Sequence, residues 1–144
     1  MRFNEIAKSS PALDTRRLYS FEANYFYGTP ATKSMSMNDL RIMAEKIWER
    51  YGKKKPMPRI VAGRGTPHGD MLYSFSQEME DGNYIQLSRN QRNKLVLVHE
   101  LIHAMGYDYH DSSFVKIYLK ILSEVLSLPL AELRKAAKEY KLNV

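Results

Sequence analysis

A chain of 144 residues with 44% hydrophobic side chains is long enough for one compact domain with a real core and too short for two, so a single domain over 1–144 is expected. Cysteine is absent, which excludes disulfides, thiolate zinc sites, iron–sulfur clusters and a cysteine nucleophile, and leaves nitrogen and oxygen to hold any metal. The net charge of +6 is concentrated: residues 50–69 carry six Lys or Arg and no acid, while the other sixteen basic residues balance sixteen acidic ones.

The first residues, "MRFNEIAKSSPALDTRR", place charges where a signal peptide needs an apolar run, and no stretch reaches transmembrane length. A cytoplasmic, monomeric protein with no membrane partner is the expectation. Leu18, Phe21, Glu22, Tyr25 and Phe26 recur at roughly helical spacing behind Asp14 as a cap, which predicts a helix over "DTRRLYSFEANYF", with a strand as the alternative its aromatics allow. In "SMNDLRIMAEKIWERYG", Ser36 and Asp39 resemble a capping box, Leu40, Met43, Ile47 and Trp48 form an apolar stripe, and Gly52 offers a stop.

After the basic stretch, "RIVAG" has the β-branched content of a strand. "MLYSFSQEM" and "NYIQLS" flank Asp81-Gly82 with alternating apolar residues, which predicts a hairpin. A helix over 89–105 is expected next, opened by Ser88 with Gln91 as capping-box partner and closed at Gly106. Asp111 or Ser112 then caps "FVKIYLKILSEVL", whose apolar face is read from Phe114, Ile117, Leu119, Ile121 and Val125, and "LAELRKAAKEYKL" follows Pro129 as a last helix. The expected fold is α+β, a short mixed sheet of about three strands packed with about five helices.

Between Leu95 and Met105 the only polar residues are His99, Glu100 and His103. A helix so apolar all round is buried, and three polar side chains within it are costly unless satisfied. His99 and His103, four apart, differ in direction by about 40° and lie one turn above the other, where two imidazoles can reach one ion. Glu100 is turned by about 100° from His99, beside the pair, where a carboxylate can act on water without being a ligand. This is the H-E-x-x-H arrangement of a hydrolytic zinc site, with Glu100 as general base. Such a site needs a third protein ligand and an open fourth position; Gly106 lets the chain reverse, and His110 returns seven residues after His103.

The stretch "VHELIHAMGYDYHDSSF" resembles the zincin metallopeptidases, and more closely their small SprT-like group, in which a third histidine follows the helix and precedes a small residue and an aromatic, as in H-G-x-x-F. Asp111 stands where that pattern has glycine, and Phe114 keeps its aromatic. In layout, from "TRRLYSFE" to "LSEVLSLPLAELRKAAKEY", the chain is also similar to small metallohydrolases of bacteria and phages. The resemblance implies a minimal zincin-like domain with His99, His103 and His110 as Zn2+ ligands, Glu100 as catalytic base, and a peptide or protein as substrate. A metzincin is not indicated: position 109, six after His103, is Tyr, and no methionine follows Met105 to form the methionine turn. The cysteine zinc ribbon common in SprT-like proteins has no counterpart in a chain without cysteine.

Other residues carry two readings each. Asp108 and Asp111 can orient an imidazole, or Asp111 can cap a helix; Tyr107 and Tyr109 can donate to an oxyanion, or pack around the turn. His68, in "GRGTPHGD", is either a solvated loop residue or a fourth ligand that would close the site and make the zinc structural. The basic residues at 50–64, with Lys53, Lys54 and Lys55 at their centre, are either a solvated linker or a track for nucleic-acid phosphates. Two rivals therefore stand beside the peptidase: a nucleic-acid-binding module stapled by a structural zinc, and a repressor-cleaving regulator of the ImmA/IrrE-like kind, for which no helix-turn-helix pattern is seen.

Overall fold

The computed structural model describes residues 10–52, 55–63, 75–79 and 82–144, with the side chains of 75–79 left aside. Within these, five α-helices and a three-stranded sheet make a mixed α+β chain. Residues group into two compact units, one formed by the described residues up to Thr29 together with Tyr107–Val144, the other by Pro30–Gly106.

The first unit is helical. Helix α1, Pro11–Tyr25, starts three residues earlier than the sequence suggests. Its cap is Ser10, whose side chain accepts from Leu13 N at 3.2 Å, and Pro11 fits the first helical position because its missing N–H would be an orphan there. Asp14 falls inside the first turn rather than at the cap. Leu18 and Phe21 are fully buried, and Phe21 stacks on Tyr25 at 5.4 Å and meets Phe26 and Tyr140 edge-on at 5.2 and 5.6 Å.

Helix α4, Ser112–Leu126, is capped by Asp111, whose Oδ1 accepts from Phe114 N at 3.1 Å. Its buried residues are Phe114, Val115, Tyr118, Leu119, Ile121 and Leu122. The core face is thus rotated from the predicted stripe: Ile117 and Val125 are half-buried at its margin, while Tyr118 is fully buried with its hydroxyl donating to Glu22 Oε2 at 2.6 Å. A polar tip with a partner is what lets a tyrosine occupy that position. Ser127 at φ 54° ends the helix in the left-handed region. Helix α5, Leu130–Glu139, packs on α4 and is shorter than predicted.

In the second unit, helix α2, Met37–Tyr51, begins where Ser36 accepts from Asp39 N at 3.1 Å. It buries Leu40, Ala44, Ile47 and Trp48; Met43, expected in the stripe, is half-buried. Gly52 follows at φ −70°, so it is not a left-handed stop. Its role is steric: a Cβ there would lie 2.5 Å from the Trp48 ring, whose Nε1 donates to Lys55 O at 2.9 Å.

Strands β1, Arg59–Ala62, β2, Phe75–Met79, and β3, Gly82–Leu87, form a sheet in the order β1-β3-β2, with β1 parallel and β2 antiparallel to β3. Ile85 and Leu87 are buried and alternate with half-buried Tyr84 and Gln86, the period-2 pattern of a sheet with one covered face. Met79 pairs with Gly82, so Gly82 belongs to β3 rather than to the predicted Asp81-Gly82 turn; Asp81 lies outside the described residues.

The histidine-bearing helix also starts later than predicted. Ser88 Oγ donates to Gln91 Oε1 at 3.2 Å, and Arg89–Gln91 form a single 3-10 turn. Arg92 leaves helical geometry, and Asn93 becomes the true cap, accepting from Val96 N at 2.9 Å. Helix α3 is Lys94–Ala104, not 89–105, with Met105 as its C-cap. It packs against β2, β3 and α2, which is why apolar residues surround it.

Candidate metal centre

Eight of the eleven α3 residues are buried, among them His99 and Glu100, each only 7% exposed. The four-residue spacing brings His99 Nε2 and His103 Nε2 to 3.2 Å, with the rings inclined at 61° and their centroids 4.9 Å apart. Two nitrogens on a tetrahedral zinc at about 2.0–2.1 Å are about 3.3–3.4 Å apart, so the pair already has the bite of a zinc ligand set. The spacing also suits a hydrogen bond between one protonated and one bare ring nitrogen, which holds the same geometry without an ion. Imidazole nitrogens suit zinc and several other transition metals.

Gly106, at φ 109°, releases the chain from the helix, and its N–H donates to His103 O at 3.0 Å. The positive φ is what calls for glycine there; the neighbouring Lys55 ammonium is the end of an exposed, flexible side chain. That ammonium lies at the carbonyl end of α3, where positive charge is favoured.

His110 follows in the turn before α4 and is half-buried. Its Nδ1 lies 2.8 Å from Thr15 Oγ1, and its ring meets Tyr19 at 5.7 Å and Phe114 at 5.1 Å between centroids. His99, His103 and His110 could each offer one ring nitrogen to a metal ion.

The lesser candidates separate. Asp111 is spent as the helix cap, and Asp108 is exposed. Tyr109 is 64% exposed, while Tyr107 is half-buried. His68, Lys53, Lys54 and Arg64 lie outside the described residues. Lys55 and Arg59 are exposed, and the Arg50 guanidinium sits 5.6 Å over the Tyr51 ring. Thr15, the partner of His110, escaped sequence reasoning: it is 95 residues away in the chain and stands in no motif.

Among the described residues, no helix is long and apolar enough to cross a membrane. No protein-family model, no curated protein and no solved structure matches the chain.

Proposed function

We propose that the protein is a zinc-dependent hydrolase with a minimal zincin-like fold, and that it cleaves a peptide or protein amide bond. The observation that carries this reading is the His99–His103 pair, with ring nitrogens 3.2 Å apart on a buried helix that also carries Glu100. A helix needing only apolar packing would not bury His99 and Glu100 with a half-buried His103 beside them.

In this reading His99, His103 and His110 would hold the ion. Zinc, when bound, supplies Lewis acidity, lowering the pKa of water toward about 7 and polarising a carbonyl. Glu100 is the general base: its carboxylate takes the proton of the attacking water and returns it to the leaving nitrogen. Burial suits that task, since a carboxylate shielded from bulk water retains the proton between the two transfers. Backbone pairing supports an extended peptide as substrate, because β2 lies at the edge of the described sheet, next to strands on which α3 packs. A substrate strand adding there would be held by main-chain hydrogen bonds, which tolerate many side chains.

The test is turnover of an unstructured protein substrate by zinc-loaded wild type and Glu100→Gln. Glu100→Gln is expected to keep its zinc and lose activity by roughly 10²–10⁴-fold. Full activity in that variant would remove Glu100 from the chemistry. If chelation abolishes nucleic-acid binding while Glu100→Gln has no effect on any turnover, the structural-zinc module is the better account.

A further inference from the structure

Helix geometry aligns His99 with His103, but His110 lies beyond that helix and its ring must be set by something else. The contacts around it come largely from α1. Thr15 and Tyr19 are four residues apart, so their side chains share one helix face. Both reach the same imidazole: Thr15 Oγ1 is 2.8 Å from His110 Nδ1, and the Tyr19 ring is inclined at 59° to the imidazole at 5.7 Å. Phe114, fully buried one turn into α4, meets the ring edge-on at 86° and 5.1 Å. The hydrogen bond fixes one nitrogen of the ring, and the two aromatic contacts restrict its tilt.

From this juxtaposition we infer that Thr15 is a positioning residue for His110: its hydroxyl accepts from Nδ1–H and so presents the Nε2 lone pair to the metal. The inference rests on the reading of His110 as third ligand. A neutral imidazole has two tautomers, and only the one protonated at Nδ1 can ligate through Nε2. A hydroxyl can donate or accept, so without an ion Thr15 tolerates either tautomer; with Nε2 on the metal, accepting is the role that remains. Metal-bound histidines commonly have their second nitrogen held by a carboxylate or a carbonyl. A neutral hydroxyl in that place orients the ring without adding negative charge, leaving Glu100 as the carboxylate whose charge is used on water.

The experiment compares full-length wild type, Thr15→Val and Thr15→Ser. Zinc affinity is measured by competition with a chromophoric chelator, and the His110 tautomer by long-range proton–nitrogen correlation of its ring in the metal-free and zinc-loaded proteins. Valine keeps the branched shape without the hydroxyl and is expected to weaken zinc binding about 10–100-fold, while serine restores it. In the zinc-loaded wild type, Nδ1 should carry the proton. The inference is overturned if Thr15→Val binds zinc as wild type does, or if Thr15→Ser is as weak as Thr15→Val. If wild type binds no zinc, the ligand assignment itself fails. The metal-free spectra then decide Thr15, since an unchanged His110 Nδ1 chemical shift in Thr15→Val would show that the hydroxyl does not act on the ring.

Discussion

At the scale of single residues, the candidate metal centre follows from the cost of burying polarity. His99 and Glu100 lie in a helix whose other buried residues are all apolar, and each needs a task to justify its position. His103→Ala is expected to abolish stoichiometric zinc binding, read as metal content after gel filtration. The Nε2 pair would then lose half its bite. Away from the centre, Asp14 tests the helical unit. Burial lifts its carboxyl above the ordinary 3.8, Arg17 opposes the shift, and Asp111 adds to it. A carboxyl whose folded pKa is raised contributes most below its unfolded pKa, and that contribution is lost as pH rises through the folded value. Asp14→Asn should therefore gain stability relative to wild type as pH rises from about 3 toward 6, followed as the difference in urea midpoint. A gap that is constant with pH would remove Asp14 from the account. Local spacing made His99, Glu100 and His103 legible in the sequence, because four residues of helix bring two side chains together whatever the rest of the chain does. Thr15 was illegible because its contact with His110 exists only after α1 and the α4 turn have come together.

At the scale of elements, caps decide where helices start, and the two errors share a cause. Ser88 has the right partner at the right spacing for a capping box, yet its hydroxyl bonds to the Gln91 side chain and the result is one 3-10 turn. Asn93, five residues on, does the capping. Sequence spacing shows which side chains can reach, but not which of two competing acceptors the backbone uses. Asn93→Ala is expected to cost about 1 kcal/mol, since it removes a partner from a buried helix start. Ser88→Ala should cost less, and a chemical denaturation series of the two ranks them. The element most dependent on a single small residue is α2. Gly52→Ala puts a methyl 2.5 Å from the Trp48 indole, a rigid group itself held by Lys55 O, so overpacking of about 1–3 kcal/mol follows. Its near-ultraviolet circular dichroism should change with the tryptophan's surroundings. The rotation of the α4 face by about one residue has a similar origin: Tyr118 reads as polar in a hydrophobicity pattern, but the Glu22 carboxylate takes its hydroxyl and the ring goes inside.

At the scale of the whole molecule, the sequence is discontinuous in space. The first and last parts of the chain form a helical unit, and the middle forms the unit with the sheet. The α+β character and the β2–β3 hairpin were within reach of pattern reasoning, since alternation, β-branching and caps are local, whereas the parallel pairing of β1 with β3 joins segments distant in the chain. The grouping was not, because it depends on which distant helices pack. Folding and ion binding are coupled in the proposed function. An ion that binds only the folded chain adds about 2.7 kcal/mol at a free concentration one hundred times its dissociation constant, and His99→Ala should erase that gain while the metal-free stability changes far less. The most direct measurement of the central claim is the zinc K-edge absorption spectrum of the loaded protein. Three imidazoles, counted from their outer-ring scattering, with nitrogens at about 2.0–2.1 Å and one further oxygen neighbour are predicted, reduced to two imidazoles in His110→Ala. Four imidazoles, which would draw in His68 and close the site, or a wild-type spectrum unchanged in His110→Ala, would contradict it.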